Sequence, residues 1–526
     1  MRELIIKKLQ AAFGRINPDI LLTDADFEIN YPPEEFGDYS TNLALKVAKK
    51  LKKNPREIAV ALKSELEEDD FSDKIFSHIE VAGAGFLNFN LSPGARGAEI
   101  GRINSLGVKY GDSNLGKGKK IHLDFVSANP TGPIHLGNGR GGPLGDALAN
   151  VLIKNGFSVW REFYVNDFGN QIRILGHSIL KDDEAQYRGG YIDDLAKKNT
   201  EPDPFLVGQM ATETILEQMI KPAMESLGIF FNEYFRESSL HKNGEVEKAF
   251  AELKKKDLLY EKDSALWFRA QKFGDEKDRV IKKSSGEITY FGGDIAYHLN
   301  KLQTRKFDLA IDIWGADHHG DVVRVVGAME ALGYGGKVKV LLTQNLTVLK
   351  NGEEFKMSKR KGQYICLEDL ISEVGRDAVR FIFLAYSANS PMIFDIDLAK
   401  EKNNKNPVFY VQYAHARMAG ILRKTEKETD VEVDFSLLTN EKEIELTRHL
   451  MRFPDLVLEI AENYEVHRLT HYAIKLADKF HSFYHDCRIL DEEKSLAAAR
   501  RELVSAAKVI LEETLRLIGI SAPEQM

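Results

Sequence analysis

The sequence predicts an α/β protein built on a doubly wound parallel sheet, with a small α+β domain before the sheet and an all-helical bundle after it. Three observations predict this. Strand-like and helix-like patterns alternate between Lys120 and about residue 375, the order that builds a parallel sheet with crossover helices. Ahead of that stretch, amphipathic helical patterns precede two short runs of alternating residues. Beyond about Asn404 the chain reads almost wholly as helix. A length of 526 residues suits about three domains. The expected boundaries are 1–112, 113–375 for a Rossmann-like sheet domain with an insertion at about 181–278, and 376–526 for a connection and the helical bundle.

The elements follow in order. The first dozen residues set Arg2, Lys7 and Lys8 among apolar residues, which gives an amphipathic helix and not the unbroken apolar core of a signal peptide. Residues 41–53 form a second, basic helix: Leu43, Leu45, Val47, Ala48 and Leu51 oppose Lys46, Lys49, Lys50 and Lys52. Pro55 follows, then a helix at 56–67 and strand-like runs at 79–82 and 85–91. A glycine- and charge-rich loop at 111–120 closes the first domain. Ile121, Leu123 and Phe125 then alternate with polar residues, as in a strand. A helix at 143–155 and a strand at 159–165 follow, and strand patterns return at 309–313 and 338–342. Four helices are expected at 407–424, 441–463, 466–487 and 492–517, with a charged linker at 426–434.

Bulk properties exclude several classes. No apolar run approaches the roughly 18 residues of a membrane span. Two isolated cysteines, Cys366 and Cys487, form neither a disulfide framework nor a zinc cluster, which implies a reducing, cytoplasmic setting. The net charge of −8 disfavours broad nucleic-acid binding, so any RNA partner must be met by local patches and shape.

Two segments carry nucleotide chemistry. After the first strand stands Ser127-Ala-Asn-Pro-Thr-Gly-Pro-Ile-His135-Leu-Gly-Asn138, followed by Gly139 and a helix. Gly137 and Gly139 let a nucleotide approach the backbone, the helix start offers N–H groups to phosphate, and His135 can bond phosphate or ribose. A loop histidine with a purely structural bond is the alternative. Gly137-x-Gly139-x-x-Gly142 also fits a dinucleotide fingerprint, but a proline-bearing stretch separates it from the strand that should precede it directly. Further on comes Glu354-Phe-Lys356-Met357-Ser358-Lys359-Arg360-Lys-Gly362. Its two ammonium groups suit charge developing on an α-phosphate, although a solvated basic loop would look similar.

Together these segments resemble the two signatures of class I aminoacyl-tRNA synthetases, with Asn138 in place of the first signature's second histidine and Arg360 in place of the second's final serine. The pocket residues point to a guanidinium, which wants carboxylates in fork geometry. Asp124 ends the first strand, Tyr290 and Asp294 stand one helical turn apart, and Asp317 follows another strand. The blocks at 124–133, 164–171 and 287–320 are similar to arginyl-tRNA synthetases of the bacterial type with an extra N-terminal domain. That resemblance implies ATP and Mg2+ as cofactors, L-arginine and tRNA(Arg) as partners, no membrane and a monomer. It implies that His135, Lys356 and Lys359 act on the reacting phosphate, and that His135, Gly137, Asn138, Met357, Ser358 and Lys359 bind ATP. Asp124, Ser127, Asn129, Tyr290, Asp294 and Asp317 would bind arginine. Phe86 and Asn88 would meet the tRNA elbow and Tyr410 and Tyr413 the anticodon, with the tail ending at Met526 also on tRNA. No metal site is expected: Asp317-His318-His319 lacks a third ligand, and His481, His485 and Cys487 have helical metal spacing that a bundle can carry incidentally. Two rivals remain open at this stage, an adenylyltransferase for a small molecule and a non-catalytic tRNA-binding paralogue. A class I enzyme for another amino acid is a third, disfavoured because Asp124 and Asp294 would lie unpaired.

Overall fold

Helical spacing of Ile5, Leu9, Ala12 and Phe13 gives the first element, the helix Arg2–Ile16, with these residues on its buried face. The structure, a computed structural model, describes residues 1–23, 26–68, 75–355, 366–425, 431–490 and 492–526. The first helix shares a core with an antiparallel sheet of β1 (Ile29–Asn30), β2 (Tyr39–Thr41), β3 (Phe76–Ala82) and β4 (Phe86–Leu91), ordered β1-β2-β4-β3. Leu87, Phe89 and Leu91 of β4 fill that core, so Phe86 and Asn88 lie on the opposite face. The helices Leu43–Leu51 and Pro55–Glu67 complete it. The second is capped by Asn54, which accepts from the Arg56 amide at 2.9 Å.

After the helix Pro93–Leu106 come β5 (Lys120–Asp124), β6 (Ser158–Val165) and β7 (Glu233–Arg236). A small antiparallel sheet of β8 (Leu259–Lys262), β9 (Ala265–Phe268) and β10 (Arg279–Lys282) intervenes before β11 (Leu309–Gly315) and β12 (Val338–Thr343). The main sheet is wholly parallel, in the order β12-β11-β5-β6-β7. The chain winds outward from β5 to β7, then returns to the other side of β5. This creates a switch point at the C-terminal ends of β5 and β11, where open α/β sheets hold ligands. The first crossover is the helix Gly141–Lys154. A Cβ at Gly145 would stand 2.3 Å from the Phe125 ring, and one at Gly142 2.9 Å from Ile229. Close packing thus accounts for Gly142 without any dinucleotide.

One difference from the sequence reading concerns 181–278. That stretch is not wholly an insertion, because it supplies β7, the edge strand of the main sheet. Four residues of mixed polarity, Glu-Tyr-Phe-Arg, are too short and too amphipathic to declare a buried strand.

A fourth sheet joins β13 (Leu346–Lys350), β14 (Glu353–Glu354) and β15 (Met392–Asp395). The helices Leu367–Val374 and Arg376–Leu384 lead on to a bundle of Pro407–Thr425, Glu441–Met451, Phe453–Asn463, His467–Asp486 and Lys494–Leu517. The helix expected over 441–463 breaks at Arg452, since Pro454 has no N–H to continue the ladder. Arg380 joins these parts. Fully buried, it donates to the Ile518 carbonyl at 2.9 Å, to the Leu227 carbonyl at 2.8 Å and to Asp146 Oδ2 at 2.5 Å. The N-terminal domain is clasped to the bundle by Arg448 on Asp38 and by Tyr31 on Asp455. Among the described residues, no helix is long and apolar enough to cross a membrane.

Candidate active site

Parallel register sets Asp312 of β11, Asp124 of β5, Glu162 of β6 and Glu233 of β7 side by side across the sheet. Residues in register leave the same face, so these four carboxylates would repel one another unless cations intervened. The helix Tyr290–Leu299 and the π-turn Asn300–Thr304 after it supply them. The fully buried Lys301 places Nζ 2.7 Å from Asp312 Oδ1, 3.5 Å from Asp124 Oδ2 and 3.9 Å above the Tyr297 ring. His298 Nε2 lies 2.6 Å from Asp312 Oδ2. Arg305 spans Glu162 at 2.5 Å and Glu233 at 3.0 Å, and His122 Nε2 is 2.8 Å from Glu162. Burial alone would raise both acids. Lys301 and His298 outweigh it at Asp312, and His122 and Arg305 outweigh it at Glu162, so both stay well below the usual carboxylate range.

Asp124 is enclosed. Its Oδ1 accepts from the Ser127 hydroxyl, and its Oδ2 accepts from the Tyr297 hydroxyl at 3.2 Å. Burial raises its pKa and Lys301 partly offsets that. The turn that presents Ser127 is strained: Val126 and Ser127 both have positive φ, +70° and +36°. For a β-branched residue this is a genuine outlier, of the kind that collects at functional sites. Ser127 Oγ in turn accepts from the Tyr164 amide at 2.9 Å, tying β5 to β6.

A second acidic pair lies at the start of the helix Tyr290–Leu299. Thr289 caps it, accepting from the Gly292 amide at 3.2 Å and donating to the Val280 carbonyl at 2.9 Å. Tyr290 is exposed. Asp294, one turn on, is half-buried, and burial pushes its pKa up to about 6, with Asp321 adding to the rise. Glu237, just past β7, is 8% exposed. Its Oε1 sits so close to the helix that a Cβ at Gly293 would be 3.4 Å away. Burial, reinforced by Asp294, pushes Glu237 up to about 8. The Tyr164 hydroxyl hydrogen-bonds to it, and Asn166, its amide turned to donate, reaches Oε2 at 2.9 Å.

His135 caps the short helix Leu136–Gly139, its Nδ1 accepting from the Gly137 amide at 3.1 Å. Gly137 and Asn138 are exposed on that turn. His135 also forms an antiparallel bridge with Cys366, and the Leu367 amide donates to the Ile134 carbonyl at 3.0 Å. At the other end of the intervening stretch, the Phe355 amide donates to the Val348 carbonyl at 2.8 Å. Lys356, Met357, Ser358 and Lys359 lie outside the described residues. Asn129 is exposed near the strand end. Asp317 sits in the turn Ala316–His318 after β11 with its side chain 82% exposed, paired only loosely with His318 at 3.8 Å. It is not brought against the other carboxylates; His298, Asp321, Lys301 and His318 are the neighbours whose charge reaches Asp294.

Elsewhere the expected residues part company. Phe86 is 41% exposed, whereas Asn88 is 3% exposed. Asn88 is thus covered where Phe86, on the same face, is not. Tyr410 donates to Asp478 at 2.7 Å and has its ring 5.1 Å from that of His481. Tyr413 stacks on Phe409 at 6.1 Å, and the Arg417 guanidinium lies 4.8 Å over Tyr413 and 5.1 Å over Tyr484. His481 is thus part of an aromatic platform, while His485 pairs with Asp486 at 2.6 Å and Cys487 is buried. Among the described residues no group of three His, Cys, Asp or Glu is placed to hold a metal. Met526 is exposed, on a tail tied down by Gln412 to the Ser521 carbonyl at 3.0 Å and by His415 to the Pro523 carbonyl at 2.9 Å.

Sequence reasoning missed Glu237, Tyr297, His298, Lys301 and Asp312. An aspartate inside the apolar run of β11 was a usable signal, because a buried charge needs a partner. Lys301, one turn beyond Tyr297, is the natural candidate for it.

Comparison with known proteins bears on this arrangement. Residues 1–91 match the arginyl tRNA synthetase N terminal domain, 99–201 and 209–386 the catalytic domain of class I (R) tRNA synthetases, and 411–526 the DALR anticodon binding domain. The arginine–tRNA ligase of Carboxydothermus hydrogenoformans is 43% identical, with 95% of this chain and 94% of that one covered. That of Caldanaerobacter subterraneus is 41% identical, over 100% and 98%. The Thermus thermophilus arginyl-tRNA synthetase structure superposes with a TM-score of 0.79 at 21% identity, covering both chains fully.

Proposed function

This chain belongs to the class I arginyl-tRNA synthetase family, and from that premise we propose how its residues divide the work of joining arginine to tRNA. The protein is an arginine–tRNA ligase. The arginine carboxylate attacks the α-phosphorus of ATP and pyrophosphate leaves. The terminal ribose hydroxyl of tRNA(Arg) then attacks the adenylate carbonyl and AMP leaves. Mg2+ enters with ATP as the counter-ion of its phosphates.

His135, Gly137 and Asn138 form one wall of the ATP site, and Met357, Ser358 and Lys359 also bind ATP. His135, Lys356 and Lys359 stabilise charge on the reacting phosphate and take no covalent part. The observation that supports this most directly is the bridge between His135 and Cys366, which holds the end of the lysine-bearing stretch against the histidine turn. Tyr290 and Asp294 receive the arginine side chain, with Asp124 and Ser127 behind them; Asn129 and Asp317 serve its α-amino end. Phe86 stacks at the tRNA elbow, where Asn88 needs a local rearrangement to join it. Tyr410 and Tyr413 offer ring faces to unpaired anticodon bases, and Met526 lies on the same tRNA side. The protein acts in the cytoplasm as a monomer, a reading supported by its two free cysteines and the family's habit.

The deciding experiment is amino-acid-dependent ATP–pyrophosphate exchange, with and without tRNA, across the twenty amino acids. Exchange with arginine alone, and only with tRNA present, is expected, because tRNA would shift the pocket towards its active state. Exchange with another amino acid would overturn the pocket assignment, and exchange without tRNA would overturn the gating.

A further inference from the structure

We propose that Arg140 is a positioning residue for adenylate formation. It fastens the histidine turn to the strand frame that leads into the second signature, and so sets the gap across which the two signatures meet the reacting phosphate. The inference rests on the ATP-site reading above and adds a residue that belongs to neither signature.

Arg140 lies five residues beyond His135. It ends the short helix Leu136–Gly139 and begins the helix Gly141–Lys154, with helical backbone angles of its own (φ −56°, ψ −37°), so the turn and the crossover helix run on as one body. Its side chain is buried, the residue being 3% exposed. Nη1 donates to the Gln344 carbonyl at 2.5 Å, and Nη2 donates to the carbonyls of Ser387 and Ser390, each at 2.9 Å. These acceptors stand at two strand entrances: Gln344 is two residues before β13, and Ser390 two before β15. The two approaches are knitted to each other as well. The Gln344 amide donates to the Ala388 carbonyl at 3.0 Å and the Met392 amide to the Asn345 carbonyl at 3.1 Å, after which Leu346 pairs with Met392. From β13 the chain passes through β14 towards the second signature, and beyond that signature it meets His135 again at Cys366. A Cβ at Gly139 would stand 3.1 Å from the Leu367 side chain, so contact there is close too. The chain on either side of the second signature is thus pinned to the histidine turn, by Arg140 before it and by Cys366 and Leu367 after it.

An arginine is a costly way to make the first fastening. Among the described residues no carboxylate lies within the 4.0 Å of an ion pair, and burial, with no charged neighbour to oppose it, pulls the guanidinium down to about 10. Arg380, which also joins distant segments, has Asp146 as its counter-ion. Arg140 has carbonyl oxygens alone. A buried cation held only by dipoles costs stability, and apolar packing would serve as well for a staple of the fold. What a guanidinium supplies is geometry: donors fixed in one plane reach three carbonyls in two segments, which a lysine's single nitrogen spans poorly. Fixed spacing is what the reaction needs, since a misplacement of about 1 Å can cost about 100-fold in rate.

The test compares tRNA-dependent ATP–pyrophosphate exchange in the wild type, Arg140→Lys, His135→Ala and the double variant. Arg140→Lys should lower kcat roughly 10- to 100-fold and raise the ATP KM several-fold, with the arginine KM within about twofold. Because Arg140 acts through the placement of His135, its loss should shrink to less than about threefold in the His135→Ala background. A merely structural role predicts losses that multiply; multiplied losses, or equal rises in both KM values, would overturn the proposal. A wild-type kcat in Arg140→Lys beside a lowered one in His135→Ala would remove Arg140 and leave the ATP site standing. A wild-type kcat in His135→Ala would bring down the ATP-site reading itself. Hydrogen exchange on the wild-type enzyme–tRNA complex needs no variant. A non-hydrolysable ATP analogue should slow exchange at the Ser390 and Met392 amides together with those of the histidine turn. Protection of the turn alone would refute the fastening, even if Arg140→Lys failed to fold.

Discussion

Asp124 and Glu237 show how neighbours, more than residue type, decide what a carboxylate does. Asp124 was legible in the sequence because it ends a strand just before the first signature, yet its partners Lys301 and Tyr297 come from a helix far along the chain. Sequence spacing shows that the acid is there but not what encloses it. Glu237 was invisible for the opposite reason: it lies in the stretch read as an insertion, and only the fold brings it beside Asp294. Asn88 shares this lesson, since its place two residues from Phe86 could not show that it is buried where Phe86 is exposed. At the residue scale the lysines of the second signature give the sharpest expectation. Lys359→Ala should lower kcat by about 100- to 1000-fold while leaving the arginine KM within about threefold, because its charge acts on the transition state and not on the amino acid. Steady-state exchange kinetics would show it, and an unchanged kcat would remove Lys359 from the mechanism.

Among elements, the helix Tyr290–Leu299 does two jobs. Its first turn carries Tyr290 and Asp294, the residues of the proposed arginine pocket, while its last turn and the π-turn beyond deliver Tyr297, His298 and Lys301 to the carboxylate row. A small rotation of this one helix would disturb both. Thr289 fixes its start through the cap and through the bond to the Val280 carbonyl. Thr289→Ala should cost about 1 kcal/mol of stability, lower the thermal midpoint and raise the arginine KM several-fold, with the ATP KM unmoved. Thr289→Ser, which keeps the hydroxyl, should behave as wild type; equal damage in both variants would mean that the methyl group, not the bond, matters. The strands β5, β6, β11 and β12 were readable from alternation and apolar runs, and so was each helix of the bundle, apart from the break at Pro454. β7 was not, because an edge strand of four residues carries too little pattern to rise above its surroundings.

Across the whole molecule, long-range polar contacts do what no local pattern announces. Arg380 meets three distant segments through Asp146, Leu227 and Ile518, and it is fully buried. Arg380→Met should destabilise the protein by about 3–5 kcal/mol, since it leaves Asp146 and two carbonyls short of a donor. A drop in the thermal midpoint with normal arginine KM in the surviving enzyme is expected, and an unchanged midpoint would refute the role. Arg305 raises a different point. Its guanidinium, forked between Glu162 and Glu233, is the protein's own copy of the chemical group it exists to capture. The same sheet therefore answers one ionic problem twice, once with a tethered side chain and once with a free molecule that must arrive from solution. The tethered version is permanent architecture. In the pocket proposed above, the untethered version would make the substrate a missing piece of the fold, so that recognising arginine and finishing the structure become a single event.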